Sequence, residues 1–297
     1  MTEINSTRPR VWFITGTSSG VGYATAKAAL DHGDLVAATA RNTRAIDELI
    51  TAFPGRVLAI ELDVRDEQAA RKAVGAAIGE FGRIDVVFSN AGFALVGSVE
   101  GTSDKQAREL FDTGFFGALN VLRAALPVLR SQRSGHVLHM SSIFGEMSFP
   151  ATGMLAAVKQ SLGGAIQAMS AELAPMGIRF TQVEAGGIRT EFLAKWTVAE
   201  HAIPDYDDTA GATLDGLKHL PPEASADVSR IAAAILRLVE AEQPPMRLAL
   251  GSWAEGIIRN EIADRSADLQ AYPKVSLKKY RPIAALKESR NVSSGRR

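Results

Sequence analysis

The sequence predicts an α/β fold: a single domain built on a doubly wound parallel sheet with helices on both faces. Three observations carry that prediction. Short apolar runs rich in β-branched residues alternate with longer, Ala-rich helical stretches. The short runs are close to continuously apolar rather than alternating, as strands buried on both faces demand. Neither a shift of composition nor an internal repeat divides the 297 residues.

The elements follow in order. Val11 to Ile14 reads as the first strand and Gly20 to His32 as an Ala-rich helix; Leu35 to Ala40 is the next strand, with a helix around Arg44 to Ala52. Val57 to Leu62, Ile84 to Phe88, His136 to Met140, Ile178 to Val183 and Arg247 to Leu250 continue the strands. Helices are expected near Glu67–Glu80, Ser103–Arg130, Ala157–Ala174 and Ala226–Ala241. Each strand is followed by a crossover long enough to return in parallel. The rhythm breaks over residues 191–223, which hold Pro204 and several acids; that segment leaves the carboxyl end of a strand, where such sheets bind ligands, and is read as a substrate lid. Residues 1–9 read as a flexible start, 10–273 as the domain, and 274–297 as a basic, solvated tail.

Composition narrows the function. Thirty-three Lys+Arg balance thirty-three Asp+Glu, so no broad basic surface for nucleic acid is expected. An apolar fraction of 46% with 22% charged residues is that of a folded globular protein. The absence of cysteine removes disulfides, Cys–Zn sites, iron–sulfur clusters and thiol catalysis, and no metal site is expected. MTEINSTRPR has no apolar core of a signal peptide, and no run approaches the roughly 18 apolar residues of a membrane span. A cytoplasmic protein with no membrane partner is the expectation.

The first strand runs into Thr15-Gly16-Thr17-Ser18-Ser19-Gly20-Val21-Gly22 and then a helix. Gly16 allows the tight turn, Gly20 lets a phosphate approach the backbone, and Gly22 lets the helix pack on the strand. The helix N-terminus offers unpaired N–H groups to a pyrophosphate, as does the loop at Ser18 and Ser19. The second strand ends at Ala40-Arg41, so no acid awaits a ribose 2′-hydroxyl and a guanidinium is available for a 2′-phosphate. NADP(H) is expected ahead of NAD(H). Asp63-Val64 and Asn90-Ala91-Gly92, after the third and fourth strands, would line the adenine side.

These motifs, with Ser141-Ser142, Lys159 and Gly186-Gly187-Ile188-Arg189-Thr190, resemble the short-chain dehydrogenase/reductase family of classical type, in the family's order from about Val11 to Gly251. The resemblance implies a Rossmann-type sheet, pyrophosphate on Gly16, Gly20 and Gly22, and Thr190 at the nicotinamide carboxamide. It also implies hydride transfer to or from a carbonyl carbon, with a Tyr of a YxxxK motif as proton donor, a Ser on the substrate oxygen, and an Asn holding a water that links the Lys to solvent.

At those positions the chain is uneven. Ser142 and Lys159 match the Ser and Lys; the Tyr position is Leu155, four residues before Lys159 and thirteen after Ser142, and the Asn position is Gly114. Val158 replaces a usual small polar residue, and Ala185 stands where the family has Pro. Leu155 has no ionisable proton, so ordinary ketone reduction should be severely slowed. Glu146, His201, Asp205, Tyr206 and Asp207 are the other proton sources considered, each with a solvent-facing role as the plainer reading; His139 reads as a satisfied buried histidine.

Three functional classes follow. The first is an atypical NADP(H)-dependent oxidoreductase with another proton source, or with a conjugated or quinonoid substrate that needs none. The second is a non-redox enzyme, such as a cyclase, isomerase or dehydratase, that keeps the nucleotide as a structural wall. The third is a non-catalytic NADP(H)-binding protein; an inactivated variant gives the same sequence pattern. Intact nucleotide motifs beside a broken proton relay favour the first. Phe93, Phe144, Met147, Phe149, Phe192 and Trp196 would wall a pocket for a bulky apolar or aromatic small molecule. Small residues on the Ala156–Ala174 helix (Ala157, Gly163, Gly164, Ala165, Ala168) suit the homodimer that the resemblance implies.

Overall fold

A computed structural model describes residues 8–189, 196–219 and 225–271. Its strands are β1 (Val11–Thr15), β2 (Leu35–Ala40), β3 (Val57–Glu61), β4 (Val86–Ser89), β5 (Leu95–Val96), β6 (Gly135–Met140), β7 (Ile178–Ala185), β8 (Gly187–Arg189), β9 (Thr197–Val198), β10 (Ser225–Asp227) and β11 (Arg247–Leu250). Seven form one sheet in the order β11-β7-β6-β4-β1-β2-β3. Every pair in it is parallel. Strand order reverses between β1 and β4, the place where a doubly wound sheet opens a crevice at its carboxyl edge.

The helices are α1 (Gly20–His32), α2 (Asp47–Ala52), α3 (Glu67–Phe81), α4 (Asp104–Phe111), α5 (Ala118–Gln132), α6 (Gly153–Leu173), α7 (Ala212–Lys218), α8 (Val228–Glu240) and α9 (Ser252–Ala271). Two apolar layers hold α1, α2, α3, α5, α6 and α8 to the sheet. On one face Phe13, Val87, Val137 and Phe180 pack with Val74, Leu122, Leu129, Leu162 and Ile166 of α3, α5 and α6. On the other Trp12, Ile14, Phe88, Leu138 and Val183 pack with Leu30 of α1 and Ile231 and Ile235 of α8. Burying one such side chain is worth about 1.5–3 kcal/mol, so these layers outweigh any helix propensity. Trp12 is fully buried because its indole N–H has Asp34 Oδ2 at 2.9 Å.

Three local differences from the sequence reading have physical causes. The helix expected from Ser103 to Arg130 is interrupted by a π-helical segment over Asp112–Gly117, between α4 and α5. Two glycines in DTGFFG weaken the α register there, and such segments recur at functional sites. β3 is only half-buried because it is the edge strand. Residues 191–223, read from the sequence as a lid, carry structure where they are described: β9, a 3₁₀ turn over Pro204–Tyr206, a π-helical turn over Asp207–Gly211, and α7.

The chain divides into two compact units, Met1–Ile258 and Arg259–Arg297. The first contains the whole sheet; the described part of the second is the helical stretch 259–271. The N-terminal residues 1–7, Thr190, Phe192 and the tail 274–297 lie outside the described residues. Among the described residues no helix is long and apolar enough to cross a membrane.

Candidate active site

The carboxyl end of β1 builds the first wall. Gly16 has φ +72°, a conformation that L side chains rarely adopt. A Cβ on Gly22 would lie 2.3 Å from the Gly16 carbonyl oxygen, so only glycine lets α1 sit this close to the turn. Thr15 Oγ1 accepts from the backbone N–H of Asn90 (2.9 Å) and of Ala91 (3.0 Å), and Asn90 Nδ2 donates to Thr15 O (2.9 Å) and Gly16 O (3.3 Å). The β1 and β4 ends are thereby locked together. Thr17 donates through both N and Oγ1 to Thr39 O, each at 3.0 Å, tying the loop to β2. Sequence reasoning had passed over Thr15 and Thr17; their place beside the glycines was the available signal.

Ser18 and Ser19 form the exposed crest of this loop. Ser19 is the N-cap of α1 yet makes no side-chain cap bond. The leading N–H groups of α1 are thus left for an anion, with the positive end of the helix dipole behind them. Arg41 is exposed beyond β2. Asp63 is gripped by Arg65, whose Nε lies 3.0 Å from both carboxylate oxygens, and that hydrogen bonding holds the Asp63 carboxyl below its usual range. Val64 is buried under Asn120, whose amide donates to Val64 O at 3.0 Å. Gly92 is exposed at the mouth. The glycine cradle, the uncapped helix end and the Asp63-Val64 shelf together fit a dinucleotide.

The second wall stands on β6 and α6. Ser142 follows β6 and its hydroxyl donates to Ala185 O at a long 3.2 Å, a bond easily exchanged for a ligand oxygen. Lys159 Nζ donates to Met140 O at 2.7 Å, and desolvation lowers its pKa to about 8. Leu155 lies one helical turn before Lys159 on the same face of α6. It is 5% exposed and packs with Ala94, Leu95, Leu110 and Val158, inside a ring of Phe93, Phe111, Phe115, Phe144, Met154 and Trp196. Gly114 lies in the π-helical segment, and a Cβ there would meet Val158 Cγ2 at 2.9 Å. Val158 thus fills the space beside Gly114, a complement that sequence inspection did not see.

The other proton sources are engaged or placed elsewhere. Glu146 accepts from Arg247 Nε at 2.7 Å. Tyr206, half-buried in the 3₁₀ turn Pro204–Tyr206, donates to Glu100 at 2.7 Å, a bond that raises its pKa. His201, Asp205 and Asp207 are exposed in the surrounding segment. His139 is buried and neutral, lowered to about 3 by desolvation and then by the Lys159 charge. The reading of it as satisfied holds for one nitrogen: Nδ1 donates to Ser89 O at 3.2 Å, while Nε2 has no partner among the described residues.

Residues 10–201 match the short chain dehydrogenase family. The chain belongs to that family. Among its relatives is an oxidoreductase of Botryotinia fuckeliana, BOA17, 35% identical over 243 residues, which are 82% of this chain and 89% of the relative. A 3-ketodihydrosphingosine reductase of Bacteroides thetaiotaomicron is 32% identical over 246 residues, 82% and 88% of the two chains. The crystal structure of a short-chain dehydrogenase from Streptomyces avermitilis superposes with a TM-score of 0.85 at 35% identity, covering 91% of this chain and 98% of its own. Solved short-chain dehydrogenases of this fold hold NADP in one case and NAD in another. The sheet order and the loop after β1 are those expected of a Rossmann-type fold.

Proposed function

We propose that this short-chain dehydrogenase is an atypical NADP(H)-binding oxidoreductase for a bulky apolar or aromatic carbonyl or quinonoid substrate, working without the family's phenol. One observation carries the reading: the dinucleotide cradle is whole, while the position one turn before Lys159 holds Leu155 in a dry apolar wall. The preference for NADP(H) rests on Arg41 and on the absence of an acid at the end of β2. Thr190, outside the described residues, completes the coenzyme set by family resemblance.

Bound NADP(H) would supply the hydride chemistry. Ser142 turns its hydroxyl from Ala185 O to the substrate oxygen and polarises it. Lys159, already drawn down to about 8, is the residue poised to give or take a proton near neutral pH. The ring of Phe93, Phe111, Phe115, Phe144 and Trp196 excludes water and favours an apolar or aromatic body. A relative named as a 3-ketodihydrosphingosine reductase supports a carbonyl group in the substrate. Gly164 and Ala168 lie exposed along α6 and would form the homodimer face, whereas Gly163 turns inward to Gln182.

Fluorescence titration with NADPH and absorbance assays against aromatic ketones and quinones test the reading. Binding with NADPH oxidation supports it. Substrate conversion without coenzyme oxidation points to the non-redox class, and binding without conversion to an association role. Failure to bind NADPH refutes the proposal. Restoring the phenol with Leu155→Tyr, Gly114→Asn and Val158→Ser together is expected to speed ketone reduction by about 10²-fold or more.

A further inference from the structure

A row of polar side chains crosses the sheet beneath α6. The register sets Ser89 of β4, His139 of β6, Gln182 of β7 and Arg247 of β11 side by side. Val137 and Phe180, two residues earlier on β6 and β7, belong to the apolar layer under α3, α5 and α6, so His139 and Gln182 project to that same face. The helix follows the row with a stripe of its own at four-residue spacing. Lys159 bonds to the end of β6, a Cβ on Gly163 would stand 3.0 Å from Gln182 Oε1, and Arg247 reaches Gln167 Oε1 at 3.4 Å.

Three atoms of this layer are buried with no hydrogen-bond partner among the described residues: His139 Nε2, Gln182 Nε2 and Glu184 Oε1. His139 is 4% exposed and Gln182 and Glu184 are each 2% exposed. Because Nδ1 of His139 donates to a carbonyl, Nε2 carries a bare lone pair. Gln182 Nε2 offers N–H groups one strand away. Glu184, two residues further along β7 on the same face, has Arg247 Nε at 3.5 Å from Oε1, and Glu146 completes the outer end. Buried polar atoms are rarely left unpaired, and several orphans lying together are what internal waters satisfy, each with about three hydrogen bonds. Lys159, whose charge is felt at His139, stands at the inner end and donates to the Met140 carbonyl.

We infer that this row holds a file of ordered waters running from the Lys159 ammonium to the Glu146–Arg247 edge, with His139 and Gln182 as positioning residues that keep Lys159 charged. A water between Lys159 Nζ and His139 Nε2 accepts from the ammonium and donates to the imidazole; the next accepts from Gln182 and donates to Glu184. The groups facing the file are the cations Lys159 from α6 and Arg247 from β11, Glu146 from the segment after Ser142, and two buried titratable groups held neutral, His139 from β6 and Glu184 from β7. The use of Lys159 as a proton carrier rests on the function proposed above; the waters and their hold on the ammonium do not.

The test uses the full-length chain without coenzyme. An experimental structure at a resolution that shows water is paired with the pH dependence of Lys159 acetylation, read by competitive labelling and mass spectrometry. We expect waters bridging His139 Nε2, Gln182 Nε2 and Glu184 Oε1. We also expect His139→Leu to lower the Lys159 midpoint by about one pH unit, a tenfold loss of preference for the ammonium. Gln182→Met, nearly isosteric, lowers it by less, and His139→Asn, which keeps an acceptor, restores it. A row without bridging water, or a midpoint unmoved in both His139→Leu and Gln182→Met, overturns the inference. A chain that shows the waters and the shifts but does not bind NADPH refutes the proposed oxidoreductase and leaves the file standing.

Discussion

Replacing Glu184 with Gln should stabilise the protein, and more so as the pH rises. Glu184 is buried on β7, and desolvation, followed by the charge and hydrogen bond of Glu146, raises its pKa to about 8 against the opposing pull of Arg247. In the unfolded chain a Glu titrates near 4.3. Between those values the folded state keeps a proton that the unfolded state releases. The unfolded state therefore binds fewer protons, and stability falls as pH rises from about 5 to 8. Each pH unit is worth about 1.4 kcal/mol for a full proton, so three units set a ceiling of about 4 kcal/mol. Sharing of the proton with Glu146 and the nearby Arg247 cation reduces this, and about 2 kcal/mol is the expected gain for Glu184→Gln at pH 8. The difference should shrink towards pH 5 and vanish below about pH 4, where Glu184 is protonated in the unfolded chain as well. Urea unfolding at pH 5, 6, 7 and 8, followed by circular dichroism, reads the difference directly. Parallel stability curves for the two proteins over that range would refute the reasoning, because they would mean that Glu184 is ionised in the fold.

Other perturbations address the proposed coenzyme cradle and the helices around it. Gly22→Ala places a methyl 2.3 Å from Gly16 O and 2.6 Å from Asn90 Nδ2, so NADPH affinity measured by fluorescence should fall more than tenfold while the far-ultraviolet dichroism is kept. Arg41→Ala should weaken NADPH by about tenfold and leave NADH little changed, and an equal loss for both coenzymes would remove Arg41 from the 2′-phosphate site. Ser103→Ala removes one half of the capping box with Gln106 at the start of α4 and should cost about 1 kcal/mol in chemical denaturation.

The fold was legible because a parallel sheet writes its signature locally. α1, β2 and β11 run over the residues that their apolar and Ala-rich runs marked, since both faces of those strands meet helices. The glycine loop was legible for the same reason: Gly16, Gly20 and Gly22 act within one turn of chain. What escaped was set by partners distant in sequence. Val158 and Gly114 touch across 44 positions, and nothing near either residue announces the other. The polar row was equally hidden, because Ser89, His139, Gln182 and Arg247 become neighbours only once the register of four strands is fixed. His139 alone reads as a core histidine; beside Gln182 and Lys159 it becomes half of an unsatisfied pair. The π-helical break after α4 was missed because DTGFFG sits inside an otherwise amphipathic run, where two glycines cost the helix little signal.

The same distance argument bears on how the apolar wall is held together. Gly114, Leu155 and Val158 form one packed unit, with Val158 against both of the others. An Asn at 114 alone must push its Cβ against Val158 Cγ2, 2.9 Å away, on a backbone already fixed by the π-helical segment. A Ser at 158 alone leaves the space beside Gly114 unfilled and sets a hydroxyl against Leu155 and Leu110. Made together, the two changes let the amide occupy the vacated methyl volume and bond to the new hydroxyl. Gly114→Asn and Val158→Ser should therefore each destabilise, by about 1–2 kcal/mol, and the pair should cost less than their sum by about 1 kcal/mol or more. A double-mutant cycle in urea measures this. Strict additivity would show that the two positions do not share a cavity wall, and the route back to a phenol-bearing site would then run through Leu155 alone.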